Sequence, residues 1–172
     1  MPATSDFAAK RAKKFPQEYC LAAQHAQRAN GVYASIALAQ AALETGFFKT
    51  PIPGGSNNCL GIKATAGKPY VESRTQEQLK NGQMITITAK FRKFASYDEC
   101  FAHYGRLLTS PTGPYRSALP YLHDKHKWFQ RVAKIYATDL KYFEKVMSIV
   151  EQWRLHEFDL APEALAQPVD PA

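Results

Sequence analysis

No stretch of this 172-residue chain is long and apolar enough to cross a membrane, which excludes a spanning helix. The first ten residues lack a basic head followed by an apolar core, so no secretory leader is expected and the chain reads as made in the cytoplasm. Cysteine is scarce. Cys20, Cys59 and Cys100 are odd in number and show no CxxC spacing, which argues against a disulfide framework or a zinc knuckle and leaves buried free thiols. His123 and His126 have one-turn spacing, but no third ligand motif lies nearby, so they read as a solvated helix end. Neither metal nor cofactor is expected. Internal repeats are absent, as are helix-turn-helix, zinc-finger and RNA-recognition signatures, so nucleic acid is not an expected partner.

Acidic residues are few outside the C-terminus. Residues 151–172 hold five acids and one base, a net −4, so the formal +7 of the chain becomes +11 for residues 1–150. A body that basic attracts a polyanion. Apolar residues make up 45% of the chain, enough for one globular domain with a proper core.

The most informative stretch is Ser35-Ile-Ala-Leu-Ala-Gln-Ala-Ala-Leu-Glu-Thr-Gly46. It reads as a helix apolar on nearly every side, whose only long polar side chains, Gln40 and Glu44, lie four residues apart on one face. Glu44 falls in the last turn, before Gly46, a natural C-cap. The negative end of the helix dipole and the apolar neighbours both favour a carboxyl group that keeps its proton, which a general acid requires. The alternative is a Glu that merely ends a core helix.

Around it, residues 1–15 are Ala/Lys-rich and read as a flexible segment with at most a loose first turn. Pro16 is expected at the first position of a helix ending near Asn30-Gly31. Residues 49–58 are dense in turn formers. Segments 70–79 and 84–94 flank Asn81-Gly82 as a hairpin with a two-residue turn, which sets Lys80 against Gln83 and Glu77 against Thr86. Ser96-Tyr-Asp-Glu99 is a capping box for a helix to about Leu108. Helices follow over about 115–123, 127–137 and 139–154, the last capped by Thr138. Residues 156–172 read as a flexible, acidic, Pro/Ala-rich tail. The domain proper is 16–155.

A protonatable Glu ending a buried helix, then an Asn-rich loop, then a hairpin with a second Glu resembles the lysozyme-like glycan hydrolases. More narrowly the chain resembles the N-acetylglucosaminidase family of bacterial peptidoglycan hydrolases, glycoside hydrolase family seventy-three, which includes flagellar-rod muralytic enzymes and autolysins. Ala39–Gly46 is similar to the family's catalytic-helix motif, Ser56–Ala64 to its Asn-rich loop, and Thr75-Gln-Glu77 to its hairpin Thr-x-Glu. Phe91–Ser96 and Tyr136-Ala-Thr-Asp139 with Tyr142 continue the match, so it spans about residues 16–152. Phe47-Phe48 replaces the usual Trp-Gly, and Cys59-Leu60-Gly61 the usual Leu-Phe-Gly. These changes are expected to alter cleft packing and sugar stacking while leaving the chemistry in place.

The resemblance implies a mainly α (α+β) fold, a helical domain whose small β-hairpin lobe forms one wall of a cleft. It implies cleavage of the β-1,4 bond after N-acetylglucosamine in peptidoglycan. Glu44 would be the general acid and Glu77 the base or electrostatic stabiliser, unless the substrate's own acetamido group attacks. Substrate-binding roles fall to Gln40, Asn58, Tyr115 and Tyr136. Asn58 has the alternative of capping the loop, Tyr136 of a core aromatic and Tyr115 of a surface one. Muramidase or lytic transglycosylase chemistry, or a catalytically silent wall-binding module, are the competing functions. A monomer acting on glycan strands in the periplasm or wall is expected, without membrane insertion. Its release by phage lysis or a non-classical route leaves room for a delivery partner or an immunity protein.

Overall fold

The computed structural model describes residues 4–50, 55–79 and 81–165, with the side chains of Thr4, Ser5, Glu77 and Gln78 outside that set. Helix α1 spans Thr4–Lys14, α2 Gln17–Asn30 and α3 Ala34–Glu44. The antiparallel pair β1 (Tyr70–Gln78) and β2 (Met84–Arg92) follows, then α4 (Tyr97–Thr109), a 3-10 turn at Arg116–Tyr121, α5 (Lys125–Tyr136) and α6 (Tyr142–Gln152). A second 3-10 turn at Leu155–Phe158 leads into the single turn α7, Pro162–Leu165. The result is the α+β arrangement expected, helices around a core with one hairpin beside it.

The core is organised around α3. All nine residues from Ala34 to Ala42 are buried, because α2, α6 and the turn at Leu155–Phe158 pack around the helix. Five of those nine are alanines, which favour helix and let neighbouring backbones approach closely. Trp128, Phe129, Phe101, Tyr104 and Leu108 fill the space beyond. Helix α2 ends where Gly31 takes φ 77° and its N–H bonds the Gln27 carbonyl at 2.7 Å, a left-handed cap that suits glycine. Pro16 occupies the N-cap of α2 rather than its first helical position.

Among the described residues, the segments 4–15 and 155–160 are more ordered than the composition suggests. Residues 4–14 are helical, and Phe15 is buried among Phe47, Phe48 and Trp153. Phe7 stacks on Trp153, and Arg11 pairs with Glu157. At the other end, Asp159 accepts hydrogen bonds from the Ser35 backbone N–H at 2.8 Å and from its hydroxyl at 2.7 Å, and pairs with Lys125 at 2.9 Å. The start of α3 is thus capped by a residue far along the chain. Gln27 closes the same junction through Leu160. A tail beginning at 156 is therefore corrected: residues 155–160 are part of the body. Residues 166–172 lie outside the described set.

The hairpin register also differs from expectation. Leu79, not Lys80, faces Gln83, with Leu79 N–H donating to the Gln83 carbonyl at 2.8 Å. Glu77 consequently pairs with Ile85, and Gln76 takes the place opposite Thr86. The cause is Gly82. At φ 86° it adds a left-handed residue to the connection, and its N–H reaches the Leu79 carbonyl at 2.8 Å. A one-residue slip changes every cross-strand partner, so this detail decides which side chain meets which. Residues 62–64 run along the free side of β2 through Arg92 N–H to Ile62 and Ala64 N–H to Lys90.

Thr138 does not cap α6. The helix begins at Tyr142, and Ala137-Thr138-Asp139 is a non-helical strap before it, extended at Ala137 and bent at Thr138. Asp139 bonds the Lys141 N–H at 2.9 Å and pairs with Lys145. The capping box at Ser96 is formed in part: Ser96 accepts from Glu99 N–H, but Glu99 reaches back to Ala95 N–H instead of its own cap residue.

Candidate active site

A cleft of about 680 Å³ opens between the end of α3, the strip Leu60–Lys63, the hairpin residue Gln76, and the Tyr136–Asp139 strap. Leu107, His103 and Tyr115 complete its walls. Glu44 stands in it. Its carboxyl is reached by solvent from the cleft, yet protein closes in from the other sides, so burial raises its pKa above the ordinary 4.5. A hydrogen bond from Tyr142 Oη to Glu44 Oε1, 3.1 Å long, opposes that rise without cancelling it.

Behind Glu44 runs a line of buried polar groups. Tyr142 Oη also accepts from Gln40 Nε2 at 3.1 Å, and Gln40 Oε1 accepts from Tyr104 Oη. Gln40 and Tyr104 are both fully buried. This corrects the substrate-binding role expected of Gln40. It shares the face of α3 with Glu44 as the helical spacing requires, but the core closes over it, and only Glu44, one turn on, reaches the cleft.

Asn58 is also corrected. It is 1% exposed and does not line the cleft. Its Nδ2 donates to the carbonyls of Ile62 and Arg92, both at 2.9 Å, and its Oδ1 accepts from the N–H of Leu60 and Ile62. With both ends of the amide engaged, the side chain staples the loop and so shapes the Leu60–Lys63 wall. Gly61 in that wall has φ 63°, and a Cβ built on it would sit 3.5 Å from Glu44 Oε2. Glycine there serves the left-handed backbone, while a Cβ would meet the carboxyl only at ordinary contact distance.

Tyr136 and Tyr115 do line the cleft. Tyr136 donates to the Leu60 carbonyl at 2.9 Å and stacks on Tyr142 with ring centroids 5.7 Å apart. Tyr115 lies 6.3 Å from Tyr136, ring to ring. His103 is driven towards its neutral form by burial, with Arg92 and Arg106 adding to the effect. Glu77 sits on β1 one position after the cleft-lining Gln76, and its side chain lies outside the described residues. Phe47 and Phe48 do not enter the cleft. With φ 58° and 62° they turn away after Gly46 and pack on Phe15, Tyr19 and Trp153. Their exchange for the usual Trp-Gly therefore concerns the core between α1 and α2 rather than sugar stacking.

Three contributors carried no assigned role in the sequence reading: Tyr142, Tyr104 and Gly61. Tyr142 stood in a matched motif, so a signal existed for it. Tyr104 falls inside none of the matched motifs, and only the packing of α4 on the body brings it to Gln40. Among the described residues no group of three or more His, Cys, Asp or Glu side chains is arranged to hold a metal ion. No helix among them is long and apolar enough to cross a membrane.

Comparison with known proteins agrees with this geometry. The glucosaminidase family, described as mannosyl-glycoprotein endo-beta-N-acetylglucosaminidase, matches residues 20–155. The exo-glucosaminidase LytG of Bacillus subtilis is 31% identical over 132 residues, covering 74% of this chain and 46% of LytG. The peptidoglycan hydrolase FlgJ of Vibrio cholerae is 34% identical over 135 residues, covering 76% of this chain and 40% of FlgJ. The solved glycoside hydrolase domain of FlgJ from Salmonella typhimurium superposes with a TM-score of 0.64 at 34% identity, over 83% of this chain and 97% of that domain. The chain thus spans somewhat less than half the length of these curated relatives. Because the match runs from the first turn of α2 to the start of the turn after α6 and takes in α3, the Asn-stapled wall and the hairpin together, the chain belongs to the glucosaminidase family.

Proposed function

We propose that this chain hydrolyses the β-1,4 glycosidic bond after N-acetylglucosamine within peptidoglycan strands, acting in the periplasm or cell wall. One observation carries the assignment of chemistry: Glu44 projects into the cleft with its pKa raised by burial and one phenolic donor on it, whereas Asp139 on the same cleft wall is held ionised by Lys145. Breaking a glycosidic bond needs a proton delivered to the leaving oxygen and stabilisation of an oxocarbenium-like transition state. Glu44 is suited to the first task. Glu77, on the hairpin bordering the cleft, is assigned the second, as base for a water or as an electrostatic partner. Tyr115 and Tyr136 offer aromatic surface for sugar rings, and Tyr136 and Leu60 hold the opposite wall at a set distance. Relatives whose printed names are peptidoglycan hydrolase and exo-glucosaminidase support the substrate class.

The test is Glu44→Gln on purified wall. The amide is isosteric but cannot deliver a proton, so lysis should fall by about 10²–10⁴ while the circular dichroism spectrum is unchanged. Wild-type digests should release fragments with reducing-end N-acetylglucosamine. A folded variant that keeps more than about a tenth of the activity, well outside the loss expected of an acid catalyst, would remove Glu44 from its role. Reducing-end N-acetylmuramic acid, or a 1,6-anhydro sugar, would overturn the bond assignment.

A further inference from the structure

The line Tyr104–Gln40–Tyr142–Glu44 has a direction, and that direction bears on where Glu44 keeps its proton. A phenol has one hydrogen to donate, whereas a glutamine amide donates from one end and accepts at the other. Gln40 Nε2 donates to Tyr142 Oη, so Tyr142 must spend its hydrogen elsewhere, and Glu44 Oε1 is its acceptor. Gln40 Oε1 in turn takes the hydrogen of Tyr104. Reversing any one member leaves two donors or two acceptors facing each other in the core, where an unmatched polar group is costly. The line therefore flips as a whole or not at all.

We propose that Gln40 and Tyr104 are positioning residues: they hold Tyr142 as a one-way donor to Oε1 of Glu44 and thereby place the acidic proton on Oε2, the oxygen facing Gly61 in the cleft wall. This rests on the reading of Glu44 as the general acid and specifies how that acid is aimed. Oε1 accepts the Tyr142 hydrogen, and in a protonated carboxyl the carbonyl oxygen is the better acceptor, so the proton falls to Oε2. Oε2 lies against Gly61, a residue with no side chain, and both residues line the cleft. A glycosidic oxygen approaching there meets the proton directly. In the reverse direction Tyr142 would accept from a protonated Oε1, and the hydrogen would be buried away from substrate. The proton transfer itself is simple: the Oε2–H bond breaks, the proton goes to the leaving oxygen, and the carboxylate left behind is held by the Tyr142 donor.

The two directions make opposite predictions. In the proposed one Tyr142 stabilises the carboxylate, so Tyr142→Phe should move the alkaline limb of the kcat–pH profile to higher pH. The expected shift is on the order of one pH unit, the worth of a hydrogen bond to a charged group. Gln40→Met, which removes the donor that frees Tyr142's hydrogen for Glu44, should move it the same way by less. If the line ran in reverse, both substitutions would move the limb to lower pH, because each would remove support for the protonated acid or release Tyr142 to donate. A purely structural role would lower the melting temperature and leave the limb in place. Carbon-13 NMR titration of Glu44 in the wild type and in Tyr142→Phe gives the same sign without turnover, and it serves if Gln40→Met does not fold. A downward shift or none in these measurements overturns the proposal, and it does so independently of Glu44→Gln, whose retained activity would instead overturn the choice of acid.

Discussion

Asp159 offers the sharpest test of how the catalytic helix is held. Its carboxylate caps the start of α3 from 124 residues away in sequence, accepting from the Ser35 N–H and hydroxyl while pairing with Lys125. Ser35 is fully buried, so Asp159→Ala leaves two donors without partners in the core. Loss of an N-cap contributes about 1 kcal/mol, and an unpaired buried donor about 1–3 kcal/mol. Lys125 is partly exposed and can rehydrate, so its share is at most about 1 kcal/mol. The total is about 2–4 kcal/mol. In a domain of this size each kcal/mol moves the melting temperature by about 2–4 °C, which gives a fall of about 5–15 °C for Ala. Asp159→Asn keeps one acceptor oxygen for the Ser35 N–H and should lose less, about 2–4 °C. Thermal unfolding followed by circular dichroism measures both. An Ala variant within about 1 °C of wild type, far inside the calculated fall, would show that the C-terminal segment does not anchor α3.

Asn58→Ala should act on stability rather than on binding. Four bonds of a buried amide are lost, so the melting temperature should drop by about 5–12 °C, while KM of the folded fraction changes less than about twofold. A large KM increase without destabilisation would return Asn58 to the substrate. The pH dependence follows from Glu44. Its pKa is raised by burial, so the acid is protonated and competent below that raised value, and kcat should fall as pH rises through it. A kcat that stays flat from pH 4 to 9, the range in which a raised carboxyl must titrate, would exclude a group of this kind. Binding to purified anionic wall should weaken steeply with salt, since the Debye length falls from about 30 Å at 0.01 M to about 10 Å at 0.1 M. Short neutral chitooligosaccharides, held by contacts in the cleft, should show little change, and equal slopes in a titration of both would mean the basic body does not steer the protein to its substrate.

Local chemistry was enough for much of this protein. An apolar stretch interrupted only by Gln40 and Glu44 dictates a buried helix with a carboxyl at its end, because helical spacing and burial act over a few residues. Gly31 and the Ser96 cap mark helix limits for the same reason, and Asn81-Gly82 marks the hairpin. The order of motifs along the chain pointed to a glycan-cleaving cleft. Whether a polar side chain faces substrate or core is a different kind of question. Gln40 and Glu44 share a helix face, yet α4 and α6 seal one and leave the other open. Asn58 was drawn inward because three backbone groups of its own loop and one from β2 needed partners. The register of the hairpin turned on a single left-handed glycine. Asp159, in a segment whose composition reads as a tail, was recruited because the buried start of α3 lacked a cap of its own. These outcomes depend on which distant surfaces come together and which buried donors then lack a partner, and that is decided only when the whole chain has packed.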